Sequence, residues 1–133
     1  MNDPPAILPY KPRILKSPIL FIGYEPSLHE EIREFLKGRD GEAHFTANAE
    51  DTIQIMNTGK IATVVIRLER LEDAAILRYI NLNYQKTRVL VMPGSPLKEA
   101  IPALVSGHYE LMHEPFRLEE LRSLLVDQEK EYQ

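Results

Sequence analysis

The sequence predicts a single α/β domain built around a parallel sheet. Short apolar runs alternate along the chain with longer stretches of helical period, which is the pattern of repeated strand–helix units. The run at residues 61–66 is β-branched and almost wholly apolar, as expected for a strand buried on both faces. Of the 133 residues, 44% are apolar, and a chain of that size can bury one core without metals or disulfides.

The first strand–helix unit begins with an apolar run at residues 19–22 that ends at Gly23. Ser27 and Glu30 then have the spacing of a capping box, and apolar residues follow at helical intervals. We therefore predict a helix that is capped by Ser27 and ended by Gly38, because a residue without Cβ suits a helix C-terminus.

The middle of the chain supplies two further units. A short strand at residues 43–46 precedes Asn48, which can cap a helix that ends at Gly59. The apolar run at 61–66 is the predicted third strand, and a helix at 71–84 follows it.

The last part of the chain completes the alternation. Residues 88–92 are the predicted fourth strand, and a serine cap followed by proline predicts a fourth helix over 95–106. Pro102 is expected to loosen a turn of that helix because it removes one internal hydrogen bond. A fifth strand at 109–113 and a closing amphipathic helix at 118–132 bring the prediction to five strands and five helices.

Residues 1–18 are a predicted proline-rich tail, and the domain follows at 19–133. The tail holds five of the ten prolines, each without an amide donor and each biasing its predecessor to extended geometry. It also holds apolar residues, which leaves two alternatives open. The tail lies partly against the domain or a partner, or it is a poorly ordered leader.

Composition excludes several classes of function. The chain has no cysteine, which excludes a disulfide scaffold, a thiol nucleophile, an iron–sulfur cluster and zinc sites that contain cysteine. The formal charge of −4 gives no footprint for nucleic acid or anionic lipid. No apolar run reaches the roughly 18 residues of a membrane span, and prolines interrupt the place of a signal-peptide core. We therefore expect a cytoplasmic domain whose partners are proteins.

Three predicted strands are followed by short motifs. IGYEP stands at residues 22–26, MPG at 92–94, and EPF at 114–116, where Glu114 comes seven residues after Gly107. These motifs resemble the receiver domain of two-component response regulators, in which the first strand ends in two acids commonly followed by Glu-Pro and the fifth ends in Lys-Pro-Phe. The resemblance extends over residues 18–131 and implies a flavodoxin-like doubly wound fold with five parallel strands in the order 2-1-3-4-5.

The resemblance also implies that the family's phosphorylation chemistry is absent. A working receiver holds Mg²⁺ with carboxylates, accepts the phosphoryl group on an aspartate, and stabilises it with a Thr or Ser hydroxyl and a lysine. Each of these groups is replaced at the matching position of this sequence. The replacements are Gly23 and Tyr24 for the acid pair, Arg67 for the phosphoacceptor, Pro93 for the hydroxyl residue, Glu114 for the lysine and Leu111 for the aromatic switch residue.

Two of these replacements carry charge of the opposite sign. Arg67 and Glu114 reverse the family's aspartate and lysine, and we predict an ion pair between them that holds the pocket without phosphate or metal. In the alternative, each side chain reaches solvent separately. Glu25, Glu69 and Glu114 could together be ligands of a hard cation, but the charge of Arg67 in their midst argues against it. No metal and no cofactor is therefore expected.

The remaining candidate groups carry less information. The histidines have neither a metal-ligand interval nor a recognisable catalytic grouping, and each is interpreted as a surface or packing residue. They are His29, His44, His108 and His113. Leucines at positions 118, 121 and 125 of the closing helix allow a coiled-coil homodimer. The repeat covers only about two heptads, so packing on the sheet is the simpler interpretation.

The sequence therefore predicts a pseudo-receiver that is not an enzyme and that signals by binding a protein, independently of phosphorylation. The expected contact surface is the one that the family commonly uses, formed by helix 4, strand 5 and helix 5 of the predicted order. One alternative is a small-molecule-binding or catalytic flavodoxin-like domain with its site at the carboxyl ends of the strands. Another is a receiver phosphorylated at a non-standard acid such as Glu69 or Asp73.

Overall fold

Five parallel strands form one sheet in the order β2-β1-β3-β4-β5, which confirms the predicted order. The computed structural model describes residues 18–37, 41–94, 109–113 and 115–131. Within these ranges the strands are β1 (Pro18–Ile22), β2 (Glu42–Thr46), β3 (Thr63–Leu68), β4 (Arg88–Pro93) and β5 (Glu110–Leu111). The described helices are α1 (Pro26–Leu36), α2 (Ala49–Thr58), α3 (Leu71–Asn83) and α4 (Leu118–Glu131).

Strand β3 is the centre of the sheet and is buried on both faces, as its β-branched sequence predicts. Ile66 lies opposite Ile22 of β1 and Val91 of β4 in the strand register. Because all three strands run in the same direction, their carboxyl ends meet at one edge of the sheet. That edge carries Gly23 and Arg67 on neighbouring strands.

Two apolar layers cover the sheet, and alternate strand residues enter each of them. On one face Leu20, Val64 and Ile66 belong to a buried cluster with residues of α2 and α3. On the other face the cluster contains Phe21 and Val65 together with residues of α1 and α4. The sheet is therefore sandwiched between two pairs of described helices, as in a doubly wound domain.

One predicted cap is wrong and another is confirmed. Helix α1 begins at Pro26, and Glu25 is its N-cap residue without a side-chain capping bond. Proline fits the first helical position because its missing amide needs no partner there, so Ser27 lies inside the first turn. Its hydroxyl is 3.4 Å from a carboxylate oxygen of Glu25. Asn48 does cap α2, since its side-chain oxygen accepts from the backbone amide of Asp51 at 2.8 Å.

Several boundaries differ from the prediction. Strand β1 begins at Pro18, inside the predicted tail. Proline fits the first position of a strand because only its carbonyl has to form a hydrogen bond there. That carbonyl accepts from the amide of Ala62 at 3.0 Å. Strand β3 begins two residues late and extends to Leu68. The predicted helix over 95–106, the tail over 1–17 and the predicted stop Gly38 lie outside the described residues. No helix in the described ranges combines the length and apolarity needed to cross a membrane.

The closing helix packs on the sheet over the side chains that the structure describes. Leu121 is fully buried in the core cluster of that face, and Leu118, Leu124 and Leu125 pack against the cluster. The leucines that allowed a coiled-coil homodimer therefore face the domain itself, so the interpretation of a sheet-packed helix is confirmed.

Candidate functional site

The candidate site lies at the carboxyl ends of β1, β3 and β4, where the substituted positions come together. Gly23 follows β1 with a φ of +86°, and its amide donates to the carbonyl of Thr46 at 3.1 Å. A Cβ at this position would stand 3.2 Å from the carbonyl oxygen of Arg67. The backbone here therefore requires glycine, and an acidic side chain would be strained.

Tyr24 belongs to the hydrophobic core and not to a polar pocket. Tyr24 is only 5% exposed to solvent. Its ring meets Phe21 edge-on at a centroid distance of 5.8 Å and Phe116 at 5.0 Å. Burial raises the pKa of Tyr24, and the nearby charge of Arg67 opposes this only in part. A neutral phenol in an apolar pocket cannot replace a carboxylate as a ligand for Mg²⁺.

The Tyr24 hydroxyl has no hydrogen-bond partner among the described residues. A buried hydroxyl without a partner costs free energy. The apolar contacts of the ring therefore stabilise Tyr24 in its position, and the hydroxyl contributes no hydrogen bond to that stability.

Arg67 sits at the end of the central strand between two carboxylates. Its Nε lies 2.8 Å from an oxygen of Glu69, in ion-pair contact but without a hydrogen bond of normal geometry. One terminal guanidinium nitrogen lies 4.0 Å from an oxygen of Glu25. The Arg67 side chain is 24% exposed, against 50% for Glu69 and 66% for Glu25. The single positive charge of the guanidinium thus lies beside both carboxylates and offsets part of their negative charge.

The predicted partner of Arg67 was Glu114, which lies outside the described residues, so that ion pair stays a prediction. From the sequence, Glu69 is predicted only as a candidate metal ligand or phosphorylation site, although Arg67 and Glu69 stand two residues apart. Side chains two apart in extended chain point to the same side. That spacing was the available signal.

Up to Gly94, where the described residues stop, the end of β4 offers no side-chain donor or hydroxyl. Pro93 is the buried last residue of the strand, and the amide of Gly94 donates to the carbonyl of Leu68 at 2.8 Å. A Cβ at Gly94 would come within 3.2 Å of the Glu69 side chain. The loops after β3 and β4 are therefore in close contact. Leu111, at the predicted switch position, is 53% exposed on β5.

An open cleft of about 490 Å³ lies beside Arg67. Most of its lining is apolar, and the lining residues are Leu28, Arg67, Met92, Pro115 and Phe116. The cleft combines one cation with hydrophobic walls at the sheet edge where ligands of doubly wound domains bind.

Asp73 has a structural role that the sequence did not reveal. It is 6% exposed, and its carboxylate accepts from the backbone amides of Glu69 at 3.0 Å and Arg70 at 2.9 Å. It also forms an ion pair with Arg70 at 3.4 Å. A carboxylate near the start of a helix can satisfy amides that lack helical partners. Asp73 therefore fixes the loop after β3, with its carboxylate oxygens engaged by these contacts.

Two of the described histidines, His29 and His113, contact separate groups. His29 Nε2 lies 3.0 Å from the carbonyl oxygen of Tyr24, and its ring stacks on Phe45 with centroids 3.9 Å apart. His113 Nδ1 lies 2.9 Å from a carboxylate oxygen of Glu120. In the described ranges no three His, Asp or Glu side chains gather as a metal-binding group.

Comparisons with known proteins identify the fold. No family model matches the sequence, and no curated protein matches it significantly. The signal receiver domain of an HD domain-containing protein from Pseudomonas fluorescens Pf-5 superposes with a TM-score of 0.70 at 20% identity, over 88% of this chain and 96% of that one. The CheY-like response regulator receiver domain from Methylobacillus flagellatus gives 0.66 at 15% identity, over 84% and 98%.

A third similar structure is the receiver domain of the Francisella response regulator 1452. It gives a TM-score of 0.68 at 14% identity and covers 89% of this chain and 100% of its own. The structures that this chain resembles are consistently receiver domains of response regulators, with the flavodoxin-like arrangement predicted from the sequence. The shared feature is the fold of the whole domain, at sequence identities of 20% or less.

Proposed function

We propose that this domain is a degenerate receiver, which signals in a two-component type pathway by binding a protein and without accepting a phosphoryl group. The observation that carries the proposal is the ion pairing of Arg67 with Glu69 and Glu25 at the end of the central strand. Arg67 stands at the position of the phosphoacceptor. Its positive charge lies beside the carboxylates, where Mg²⁺ would otherwise supply one. The proposed role is not enzymatic.

The neighbouring positions support the same conclusion. Phosphoryl transfer depends on a positioned acceptor, charge compensation and donors to the phosphoryl oxygens. Gly23 has a backbone conformation that disfavours an acid, Tyr24 is buried among aromatic rings, and Pro93 has neither a hydroxyl nor an amide proton. All three residues would have to be replaced before phosphoryl transfer could be restored. The fold supports a signalling role by analogy, since a fold alone does not define a function.

Treatment with acetyl phosphate and Mg²⁺, followed by intact mass spectrometry, tests the chemical half of this proposal. The expected result is no phosphoryl adduct on any residue, with a functional receiver domain as the positive control. A stoichiometric adduct that maps to Glu69 or Asp73 would instead establish a non-standard phosphoacceptor.

The proposed protein-binding surface includes β5 and α4, together with the predicted helix over 95–106 that lies outside the described residues. Arg88 connects β5 and α4, the described parts of this surface. Its guanidinium donates to Glu110 at 2.6 and 2.8 Å and to the carbonyl of Leu124 at 2.6 Å. Leu111 stands exposed on this surface. A pull-down with the domain, compared with its Leu111→Glu variant, tests the surface. Loss of the captured protein supports it, and unchanged capture argues against it.

The cleft beside Arg67 favours a second candidate function, the binding of a small molecule. A thermal-shift screen with nucleotides and flavins separates the two functions, since a ligand bound only by the native state raises Tm. A concentration-dependent rise that disappears in an Arg67→Ala variant would favour the small-molecule function. The cytoplasmic location and the absence of nucleic-acid binding stay predictions.

A further inference from the structure

Helix α3 is apolar on two opposite faces. Its inner face packs on the sheet through buried side chains that include Ile76, Leu77 and Ile80. On its outer face, Leu71 is 64% exposed and Leu82 is 67% exposed. A surface helix typically has a polar outer face, so two exposed leucines on the outer face of α3 depart from that pattern.

The exposed residues form a continuous line along α3. At 3.6 residues per turn, Leu71, Ala75, Arg78 and Leu82 point within an arc of about 60°. We call these four residues the α3 stripe. All four are exposed to solvent in the monomer, so the stripe presents two leucines and one alanine around a single charged residue.

An apolar groove runs beside the stripe. It has a volume of about 200 Å³, lies between α2 and α3, and is lined by Ala49, Ile53, Glu72, Ala75, Ile76 and Tyr79. Four large hydrophobic residues are exposed in the described part of the chain. Three of them, Ile53, Leu71 and Leu82, lie on α2 and α3, and the fourth is Leu111 on β5. Exposed apolar surface is therefore concentrated here, as at interaction sites.

The α3 stripe is complementary to itself when it is reversed. Its four positions are symmetric about the point midway between residues 76 and 77, because 71 pairs with 82 and 75 pairs with 78. In an antiparallel pair of α3 helices, Leu71 of one copy therefore faces Leu82 of the other, and Ala75 faces Arg78. A two-fold interface requires this relation, since the same patch must fit itself.

Charge selects the antiparallel direction as well. Glu72 lies in the first turn of α3, and Arg78 lies in its second half. An antiparallel pair brings Glu72 of each copy towards Arg78 of the other, whereas a parallel pair places like charges side by side. Arg70 pairs with Glu72 at 3.8 Å at that end. Asp73 in the first turn of α3 and Glu50 and Asp51 in the first turn of α2 still leave this end with a net negative charge, so the preference holds.

We propose that the α3 stripe is the contact surface of a two-fold, antiparallel homodimer. This surface lies on α2 and α3, apart from the face of β5 and α4 assigned to a protein partner, and it does not depend on whether the domain is phosphorylated. One helix and one groove bury less than the roughly 1,200 Å² of a standard interface. The dimer is therefore weak and forms at high protein concentration.

Sedimentation equilibrium of the whole chain over a range of concentrations tests the proposal. The wild type should shift from monomer to dimer, and Leu82→Glu should weaken the association about tenfold or more, because a charge would replace an apolar contact twice per dimer. Leu111→Glu is the matched control, because Leu111 is also an exposed leucine but lies on another face, and this variant should dimerise like the wild type. Circular dichroism checks that both variants fold.

Two outcomes of that experiment would overturn the proposal. A wild type that stays monomeric at every concentration would leave the α3 stripe to a partner other than a second copy. A dimer that Leu111→Glu disrupts and Leu82→Glu does not would move the interface to the β5 face. Neither outcome bears on the phosphorylation test, so the two proposals fail separately.

Cysteine cross-linking tests the direction of the helices, because the chain has no cysteine of its own. In the antiparallel arrangement the two copies of Ala75 are separated along the helix axis by about 4.5 Å, three residues of helical rise. Ala75→Cys should therefore form a disulfide-linked dimer under mild oxidation much faster than Leu111→Cys. Equal rates for the two variants would refute the antiparallel pairing.

Discussion

At the scale of the residue, Tyr24 fills the core at a position where the family resemblance implies a metal ligand. The ring contributes apolar area against Phe21 and Phe116, while its hydroxyl is left without a partner in the described structure. The sequence predicted that an acid is missing at this position. It could not predict the burial, because Phe116 is distant in the chain and meets Tyr24 only after folding.

Tyr24→Phe is expected to raise stability. The change removes an oxygen that is buried without a partner, and such a group costs about 1–3 kcal/mol, so the free energy of unfolding should rise by about 1 kcal/mol. Tyr84→Phe is the control, because the Tyr84 hydroxyl donates to Asn57 in an exposed position and its loss should not stabilise. Urea denaturation measures both variants. A loss of stability in Tyr24→Phe would mean that the hydroxyl has a partner.

Arg67→Asp is expected to destabilise the domain at neutral pH. The new carboxylate would face Glu69 and Glu25, which Arg67 contacts at 2.8 and 4.0 Å. These groups are partly exposed, so the expected loss is about 1 kcal/mol. Like charges raise carboxyl pKa values in the folded state. The native state then binds protons more readily than the unfolded state, and lowering the pH should restore stability.

Denaturant midpoints at about pH 7 and about pH 5 test this sign. Arg67→Gln is the matched control, since it removes the cation without adding an acid. The Asp variant should be less stable than the Gln variant at neutral pH, and the two should converge on acidification. Equal midpoints at neutral pH would show that Arg67 does not stabilise the acids around it.

At the scale of the element, the spacing of apolar residues predicts which segments are strands and which are helices. The observed boundaries differ from the predicted ones where local backbone geometry determines the first residue of an element. The order of strands and helices follows from apolar runs and helical spacing. Helix α1 begins at Pro26 because proline suits the first helical position better than Ser27 suits the cap. The two amides that Asp73 accepts from, and the pairing of Arg67 with Glu69, belong to one loop. The resemblance to a family pattern does not indicate either contact, because both depend on the local geometry of that loop.

The short strand β5 depends on the bidentate pair between Arg88 and Glu110. Hydrogen bonds from Arg88 hold the pKa of Glu110 below its usual value. As the pH falls, the unfolded chain takes up a proton at this carboxyl first, so this contribution to stability is lost below about pH 4.5. Glu110→Gln should therefore make the loss of stability between about pH 5 and pH 3 less steep.

Urea midpoints across that range measure the effect, with Glu72→Gln as a control that removes the same charge from a different surface. A wild type and a Glu110→Gln variant with parallel pH profiles would show that the Arg88 contact does not stabilise the folded state.

At the scale of the whole molecule, the sheet separates two layers of helices onto opposite faces. Residues of α1 and α4 cover one face, and residues of α2 and α3 cover the other. The candidate site lies at the edge between them, where three strands end. This architecture could be predicted from the sequence because it depends on the number and period of the apolar runs. The direction of each charged side chain at the edge could not, because it depends on loops that meet only in the folded domain.

The proposed degenerate receiver binds neither Mg²⁺ nor a phosphoryl group at the end of β3. Titration with Mg²⁺ and beryllofluoride, a mimic of aspartyl phosphate, tests it directly when amide chemical shifts are followed by NMR. We expect the shifts around Arg67 and Gly94 to stay unchanged, because no described carboxylate there is free of the guanidinium. The Arg67→Asp variant should behave in the same way, since an acceptor alone does not restore the ligands, the hydroxyl or the lysine. Saturable shifts around Arg67 in the wild type at millimolar or lower concentration would contradict this account.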